Sequence, residues 1–77
     1  MNTELVNIIF GMKIRQARLE ADLTLSEFAQ RCDLSPSYIT EIEKGRKYPK
    51  TDKILKMAEV LDKSYDELVS IKLSYIL

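Results

Sequence analysis

Two signals for the start of a helix lie close together in the middle of this chain, and they restrict its fold more than any other feature. Residues 24–27 (Thr-Leu-Ser-Glu) have the pattern of a capping box, in which a hydroxyl and a carboxylate bind free backbone N–H groups of a first helical turn. Ser35 can cap a second helix, and Pro36 suits its first position because no N–H is needed there. The chain is therefore predicted to form two short helices in succession, over about 25–32 and 36–44.

Only Asp33 and Leu34 separate these two predicted helices, and such a turn is too short to let them lie antiparallel. Helices joined in this way cross at a steep angle, which requires a small side chain where they meet, and Ala29 stands at that position. Apolar residues occur where the pair would bury them against its own core: Phe28, Cys32, Leu34, Ile39 and Ile42. Segment 25–44 therefore has the pattern of a helix-turn-helix unit.

The remaining segments also favour helices, because apolar residues recur three and four positions apart and no long stretch alternates with period two. A first helix is expected over 4–20, which Gly11 weakens without breaking. A second capping box at 64–67 predicts a short last helix over 65–71. A fourth helix is expected from Thr51 or Asp52 to about residue 61, with an apolar stripe of Ile54, Leu55, Met57, Ala58 and Leu61. We expect one all-α domain of five helices over 1–77, ending in an apolar tail at 72–77.

The residue types that are missing remove several classes of function. A chain of 77 residues can build one compact core but no deep cleft between lobes, which favours a binding module over an enzyme. There is no histidine and a single cysteine, Cys32, so neither an internal disulfide nor a zinc site of the usual ligands can form, and the commonest general base is absent. We expect no metal, no cofactor and no catalytic residue, and Cys32 is expected to pack in the core.

Membrane and export signals are also missing from the sequence. The longest apolar run, at 8–10, is far shorter than the roughly 20 residues that span a bilayer, and no signal-peptide pattern opens the chain. We expect a cytoplasmic protein with no membrane partner.

Basic residues concentrate in one segment although the chain as a whole is neutral. Residues 44–56 contain six lysines and arginines against Asp52 alone, a net charge of +5, so the other 64 residues carry −5. Such a basic stripe is a candidate surface for a polyanion. The alternative is an ordinary solvated surface.

Three segments, in this order and at this spacing, resemble a known family: FGMKIRQARLEADLTLSEFA, LSPSYITEIEKGRKYP and ILKMAEVLDKSYDEL. The family is the Cro/CI-type helix-turn-helix (XRE) group of phage and bacterial DNA-binding regulators, and the resemblance covers about residues 10–69. It implies a lambda-repressor-like fold in which the recognition helix, 36–44, enters the major groove of double-stranded DNA.

The resemblance also implies which side chains contact DNA. The expected base-contacting residues are Ser37, Tyr38, Thr40 and Glu41, of which Glu41 can accept a hydrogen bond from cytosine N4. The expected phosphate-contacting residues are Lys44, Arg46, Lys47 and Lys50, which fix position without reading sequence. Weaker candidates for backbone contacts are Lys13, Arg15, Lys53 and Lys56.

Arg18 and Glu43 match positions at which this family has an ion pair that ties the recognition helix to the body, so the resemblance implies a structural role for them. The chain departs from the family at three other positions. Leu25 replaces a glutamine that touches a phosphate, so that contact is lost or left to backbone N–H groups. Asp33 replaces the turn glycine, which is tolerable because aspartate visits the left-handed region more readily than most residues. Pro36 cannot donate a hydrogen bond to a base, so base reading must come from further along the helix.

The function expected from this resemblance is sequence-specific DNA binding by a transcriptional repressor that acts as a homodimer on a pseudo-palindromic operator. The dimer contact is expected at Ile71, Leu73, Tyr75, Ile76 and Leu77, because exposed apolar surface marks an interface; the alternative is that the tail folds back on its own subunit.

Two other readings of the function remain. One is an antitoxin-type module that binds a partner protein and regulates its own synthesis. The other is an enzyme, which the lack of a visible nucleophile–base pair or phosphate loop disfavours. The chain can be a small regulator by itself or the N-terminal domain of a longer one, with an additional C-terminal domain.

Overall fold

A computed structural model describes residues 2–72 and contains five α-helices in this part of the chain. They are α1 (Thr3–Glu20), α2 (Leu25–Cys32), α3 (Pro36–Glu43), α4 (Thr51–Leu61) and α5 (Tyr65–Val69). No strand occurs within residues 2–72, so the all-α class and the five helices expected from the sequence are confirmed. Within these same residues no helix combines the length and the apolar character needed to cross a bilayer.

The starts of α2 and α5 are fixed by the two capping boxes that the sequence predicts. Thr24 Oγ1 accepts from the N–H of Glu27 at 3.1 Å, and the Glu27 carboxylate accepts from the N–H of Thr24 at 2.8 Å. Ser64 and Glu67 repeat both bonds at 3.0 Å. These backbone and hydroxyl hydrogen bonds favour the charged carboxylates and so lower the pKa of both glutamates. Each box therefore satisfies two free donors at a helix start.

Side chains from all five helices meet in one hydrophobic core. Ala29 and Ile39 are fully buried where α2 crosses α3, in agreement with the small residue expected there. Cys32 is also in the core, and its burial raises the pKa of the thiol to about 11, so the sulfur is protonated and unreactive at neutral pH. The largest fully buried side chains are Phe28, Ile14, Ile39, Ile42, Ile54 and Met57.

Gly11 has a role that its position in the sequence does not indicate. It lies in the middle of α1, where a glycine normally weakens a helix. Here the end of α3 lies directly over it: a Cβ atom added at Gly11 would overlap the backbone oxygen of Ile42 and lie 3.0 Å from that of Glu43. The missing side chain is therefore what lets the two helices approach, and it sets the position of α3.

Three details differ from the sequence-based expectation. The last helix ends at Val69 and not at 71, because Ser70 is already extended and its carbonyl accepts a hydrogen bond from Lys13 Nζ of α1 at 2.7 Å. Helix α3 ends at Glu43, and Lys44 is its cap. Leu55 was expected on the inner stripe of α4 but is 53% exposed, because it follows Ile54 directly and one helical step turns its side chain away from the core. The tail residues Leu73, Tyr75, Ile76 and Leu77 lie outside the described part of the chain.

Candidate nucleic-acid interface

Helix α3 is held by its buried inner face and by its N-terminal cap, and its outer face is exposed. Ser35 Oγ accepts from the N–H of Tyr38 at 3.1 Å and caps the helix, with Pro36 at its first position. Ile39 and Ile42 are fully buried on the inner face. The turn before α3 passes through Asp33, which has φ 62° and ψ 37° and so adopts the left-handed conformation expected of it. The cap, the buried inner face and this turn together fix the position of α3 and leave its outer face at the surface.

The four candidate base-contacting residues divide into two groups. Ser37, Tyr38 and Glu41 line one shallow cleft on the outer side of α3, together with Ser35 and Lys47. Thr40 does not line it, and its hydroxyl donates to the backbone oxygen of Pro36 at 3.0 Å. The hydroxyl of Ser37 lies 3.3 Å from that of Ser35. The cleft therefore offers a hydroxyl, a phenol and a carboxylate, which are groups that can hydrogen-bond base edges.

The four candidate phosphate-contacting residues are exposed, and two of them contact side chains of α3. Lys47 Nζ lies over the ring of Tyr38, 5.6 Å from its centroid, within the range of a cation–π contact. Arg46 Nη1 donates to Glu41 Oε2 at 3.2 Å. The chain can turn back towards α3 because Gly45 takes a φ of 77°. The loop 44–50 therefore places positive charge directly beside the cleft.

An aromatic contact anchors this basic loop to the core, and the sequence analysis missed it. The ring of Tyr48 packs on that of Phe10 in α1 with centroids 4.8 Å apart and planes tilted by 47°. Pro49, the next residue, is buried. Tyr48 keeps 41% of its surface exposed, and its partial burial raises the pKa of the phenol above the usual value. An aromatic residue followed by proline in the midst of lysines is the signal that could have indicated this anchor.

Arg18 and Glu43 form a buried ion pair between α1 and the end of α3. Arg18 Nε and Nη2 donate to the two carboxylate oxygens of Glu43 at 2.7 and 3.1 Å, and Nη1 donates to the backbone oxygen of Leu23 at 2.9 Å. The side chains are 9% and 6% exposed. Hydrogen bonding to Glu43 raises the pKa of Arg18, which outweighs the opposite effect of its burial. The pair ties α3 to the body at the end opposite to its Ser35 cap.

The weaker cationic candidates lie in varied surroundings. Lys13 is half-buried and donates to Ser70, and burial together with the nearby Lys72 lowers its pKa. Arg15 is exposed on α1, and Lys53 is half-buried on α4. Lys56 lies 3.5 Å from Glu59 of the same helix. Among residues 2–72, no hydrogen bond or ion pair joins Arg15, Lys53 or Lys56 to α3. Positive charge in contact with the cleft residues comes from Arg46 and Lys47 of the loop 44–50.

The chemistry available at this surface is that of hydrogen bonding and charge. Among residues 2–72, histidine, cysteine and carboxylate side chains form no group of three that could hold a metal ion. The surface combines the basic side chains of the loop 44–50 with hydroxyl and carboxylate groups on the outer face of α3. That combination suits a polyanion whose edges carry hydrogen-bond donors and acceptors.

Comparison with protein families and curated proteins gives a consistent result. A helix-turn-helix family model matches residues 14–68, which include all of α2, α3 and α4. The control protein C.BamHI of Bacillus amyloliquefaciens is 35% identical over 60 residues, which are 77% of this chain and 74% of that protein.

Solved structures with the same fold include two regulators. The restriction-modification controller protein C.AhdI from Aeromonas hydrophila superimposes with a TM-score of 0.78 at 31% identity, over 80% of this chain and 94% of that one. The clp gene regulator ClgR from Corynebacterium glutamicum gives a TM-score of 0.78 at 27% identity, over 82% and 67% of the two chains. The likeness therefore extends over most of this chain in both sequence and structure.

Proposed function

Because the chain belongs to the Cro/CI-type (XRE) helix-turn-helix family of DNA-binding transcription regulators, we propose that it is a cytoplasmic repressor that binds one specific operator. In this proposal α3 lies in the major groove and the loop 44–50 follows the phosphate backbone. The observation that carries it is the contact of Lys47 with Tyr38 and of Arg46 with Glu41, which puts the cations and the hydrogen-bonding cleft on one continuous surface.

Base recognition is assigned to the outer face of α3. Ser37, Tyr38 and Glu41 share the cleft, and Glu41 can accept from cytosine N4. Thr40 takes part through its methyl group, which can contact a thymine methyl, because its hydroxyl is engaged by Pro36. Phosphate contacts are assigned to Lys44, Arg46, Lys47 and Lys50, all of which are exposed. Arg46 and Lys47 also contact side chains of this face. Arg18 and Glu43 hold the helix in place.

Selection from a random duplex library tests the proposed function directly. The full chain is expected to enrich a sequence with two similar half-sites, and that sequence placed over a promoter is expected to lower expression of a reporter when the protein is present. Failure to enrich any sequence would contradict specific binding. An increase in reporter expression would contradict repression and leave specific binding in place.

Alanine at Lys44 or Lys50 is expected to weaken binding to the selected site and to a random duplex by the same factor. A phosphate contact carries no base information, and each lost contact lowers the slope of log affinity against log salt by about 0.9. Filter or fluorescence binding at several salt concentrations measures both quantities. Lys63→Ala is the matched control, since Lys63 lines a groove between α1 and α5 away from α3. A loss confined to the selected site would contradict the phosphate role.

A homodimer is the assembly that we propose for this function. One recognition helix reads too few base pairs for a useful specificity ratio, so two copies related by a two-fold axis would read half-sites about one helical turn apart. We assign the contact to Ile71 and the apolar residues that follow it. Ile71 is half-buried after the end of α5, and the backbone oxygen of the preceding residue, Ser70, accepts a hydrogen bond from Lys13 of α1.

Deletion of residues 73–77 is expected to convert the dimer to a monomer and to remove cooperative binding to the two half-sites. Burial of apolar side chains would be lost from the interface, whereas the cleft on α3 is unchanged. Sedimentation equilibrium measures the mass, and a titration of full and half operators measures the cooperativity. If the shortened chain dimerises as tightly as the full one, the tail is not the interface.

A further inference from the structure

Arg46 is attached to Glu41 twice, once through the backbone and once through the side chain. The N–H of Gly45 donates to Ile42 at 3.0 Å and the N–H of Arg46 donates to the backbone oxygen of Glu41 at 2.9 Å, so the end of α3 closes in a Schellman-type turn. The Arg46 guanidinium then returns to the Glu41 carboxylate at 3.2 Å. The helix end itself thus fixes the position of Arg46 relative to Glu41.

The ion pair is incomplete, and this leaves hydrogen-bonding groups available. It is joined through one nitrogen and one oxygen, Nη1 and Oε2. Among the hydrogen bonds of residues 2–72, none engages the other carboxylate oxygen of Glu41, Oε1. The Arg46 and Glu41 side chains are 63% and 35% exposed, so the pair lies at the surface. A paired Glu41 can therefore still accept a hydrogen bond from a ligand.

The ion pair with Arg46 changes the electrostatic energy of the Glu41 carboxylate at the surface of DNA. A carboxylate brought into the major groove enters the negative potential of the phosphates and is repelled by it. A guanidinium at hydrogen-bond distance offsets that repulsion and also limits the rotamers that the carboxylate can adopt. Without Arg46, Glu41 would be free to turn away from the groove. Lys50 carries the same charge in the same loop, but no hydrogen bond or ion pair among residues 2–72 joins it to Glu41.

We propose, on the basis of the function proposed above, that Arg46 is a positioning residue for base recognition. It holds Glu41 so that the free carboxylate oxygen faces one base pair, where the acceptor selects cytosine through its N4 amino group. Arg46 thus contributes to the choice of sequence as well as to the attraction for phosphate. The pair Glu41–Arg46, and not Glu41 by itself, is the unit that reads this base pair.

The experiment measures base preference and not affinity alone. The selected operator is first varied to all four base pairs at each position, and the position at which Glu41→Gln changes the preference identifies the base pair read by Glu41. At that position the ratio of affinities for the best and second-best base pair is then compared among the wild type, Arg46→Ala, Arg46→Lys, the double variant Glu41→Gln/Arg46→Ala, and Lys50→Ala. Because each value is a ratio within one variant, a change in the folded fraction cancels.

Arg46→Ala is expected to reduce this ratio at least about fivefold, within the range that one good base contact supplies. Arg46→Lys, which keeps a cation near Glu41, is expected to retain more of the ratio. The double variant is expected to show the same preference as Glu41→Gln, because Arg46 acts through Glu41. Lys50→Ala is expected to bind more weakly with its ratio unchanged.

Two results would overturn the inference, and they can be told apart from failure of the proposed function. If Arg46→Ala behaves like Lys50→Ala, with weaker binding and an unchanged ratio, Arg46 is only a phosphate contact. If Glu41→Gln changes no base preference, Glu41 reads no base pair and Arg46 has nothing to position. A wild-type chain that enriches no sequence contradicts the proposed function itself, and the inference falls with it.

Discussion

Glu43→Ala is expected to lower the free energy of unfolding by about 3–5 kcal/mol, the usual result of removing one partner of a buried ion pair. The variant leaves the Arg18 guanidinium, whose side chain is 9% exposed, with the backbone oxygen of Leu23 as its remaining hydrogen-bond acceptor within residues 2–72. A domain of this size has a total stability of about 4–12 kcal/mol, so much of it would be lost. Urea unfolding followed by helical circular dichroism measures the change.

The neighbouring pair provides a matched control for this experiment. Glu41, on the same helix as Glu43, pairs with Arg46 of the following loop, but that pair lies at the surface. Glu41→Ala is expected to change stability by less than about 1 kcal/mol, because exposed ion pairs contribute little. Replacing both Arg18 and Glu43 by leucine is expected to recover much of the loss, since no unpaired charge is then buried. Equal losses from Glu43→Ala and Glu41→Ala would contradict the structural role of the buried pair.

Gly11→Ala is expected to destabilise the fold by about 3 kcal/mol, near the upper end of the usual cost of overpacking. In an isolated helix the same change would be favourable by about 1 kcal/mol, so the sign of the effect is diagnostic. The added methyl group would overlap the backbone of Ile42, and a backbone oxygen cannot rotate away as a side chain can. The end of α3 would have to move, and affinity for the selected operator is expected to fall as well.

Thermal unfolding measures this effect, with a shift of about 4–8 °C expected for each 1 kcal/mol in a domain of this length. Met12→Ala is the control, because Met12 is the next residue in α1 and is 63% exposed. Its effect is expected to stay within about 0.5 kcal/mol. If Gly11→Ala is as stable as the wild type, the close approach of α1 and α3 is not required.

How much of the fold can be read from the sequence depends on how local the determining contacts are. The capping boxes at 24–27 and 64–67 were predicted because all their partners lie within three residues of one another. The same holds for the Ser35–Pro36 start of α3. The role of Gly11 could not be predicted, because the atom that excludes a side chain belongs to Ile42, on another helix. The end of α5 was placed too late for a similar reason: Lys13 of α1 contacts the extended Ser70.

In the candidate site, too, some features could be predicted from the sequence and others depend on contacts between distant segments. Family resemblance indicated which side chains would lie on the outer face of α3, and Ser37, Tyr38 and Glu41 do share one cleft. The resemblance assigned the basic residues to phosphate contacts, apart from the base-contacting residues. In the structure two of these basic residues, Arg46 and Lys47, contact residues of that cleft. Those contacts depend on the turn at Gly45 and on the packing of Tyr48, which only the folded chain brings together.

The packing of Tyr48 on Phe10 has a consequence for the kinetics of binding. Ordering a flexible loop when a complex forms costs conformational entropy, about 1–2 kcal/mol for the backbone of each residue. In this protein the loop 44–50 is already attached to α1 by that aromatic contact, and Pro49 of the same loop is buried. In the binding mode proposed above, these contacts reduce the backbone ordering that the loop would undergo on DNA, and we expect no slow rearrangement in the encounter. Association can then be governed by diffusion and by the field of the cations, which favours a rapid search along non-specific DNA.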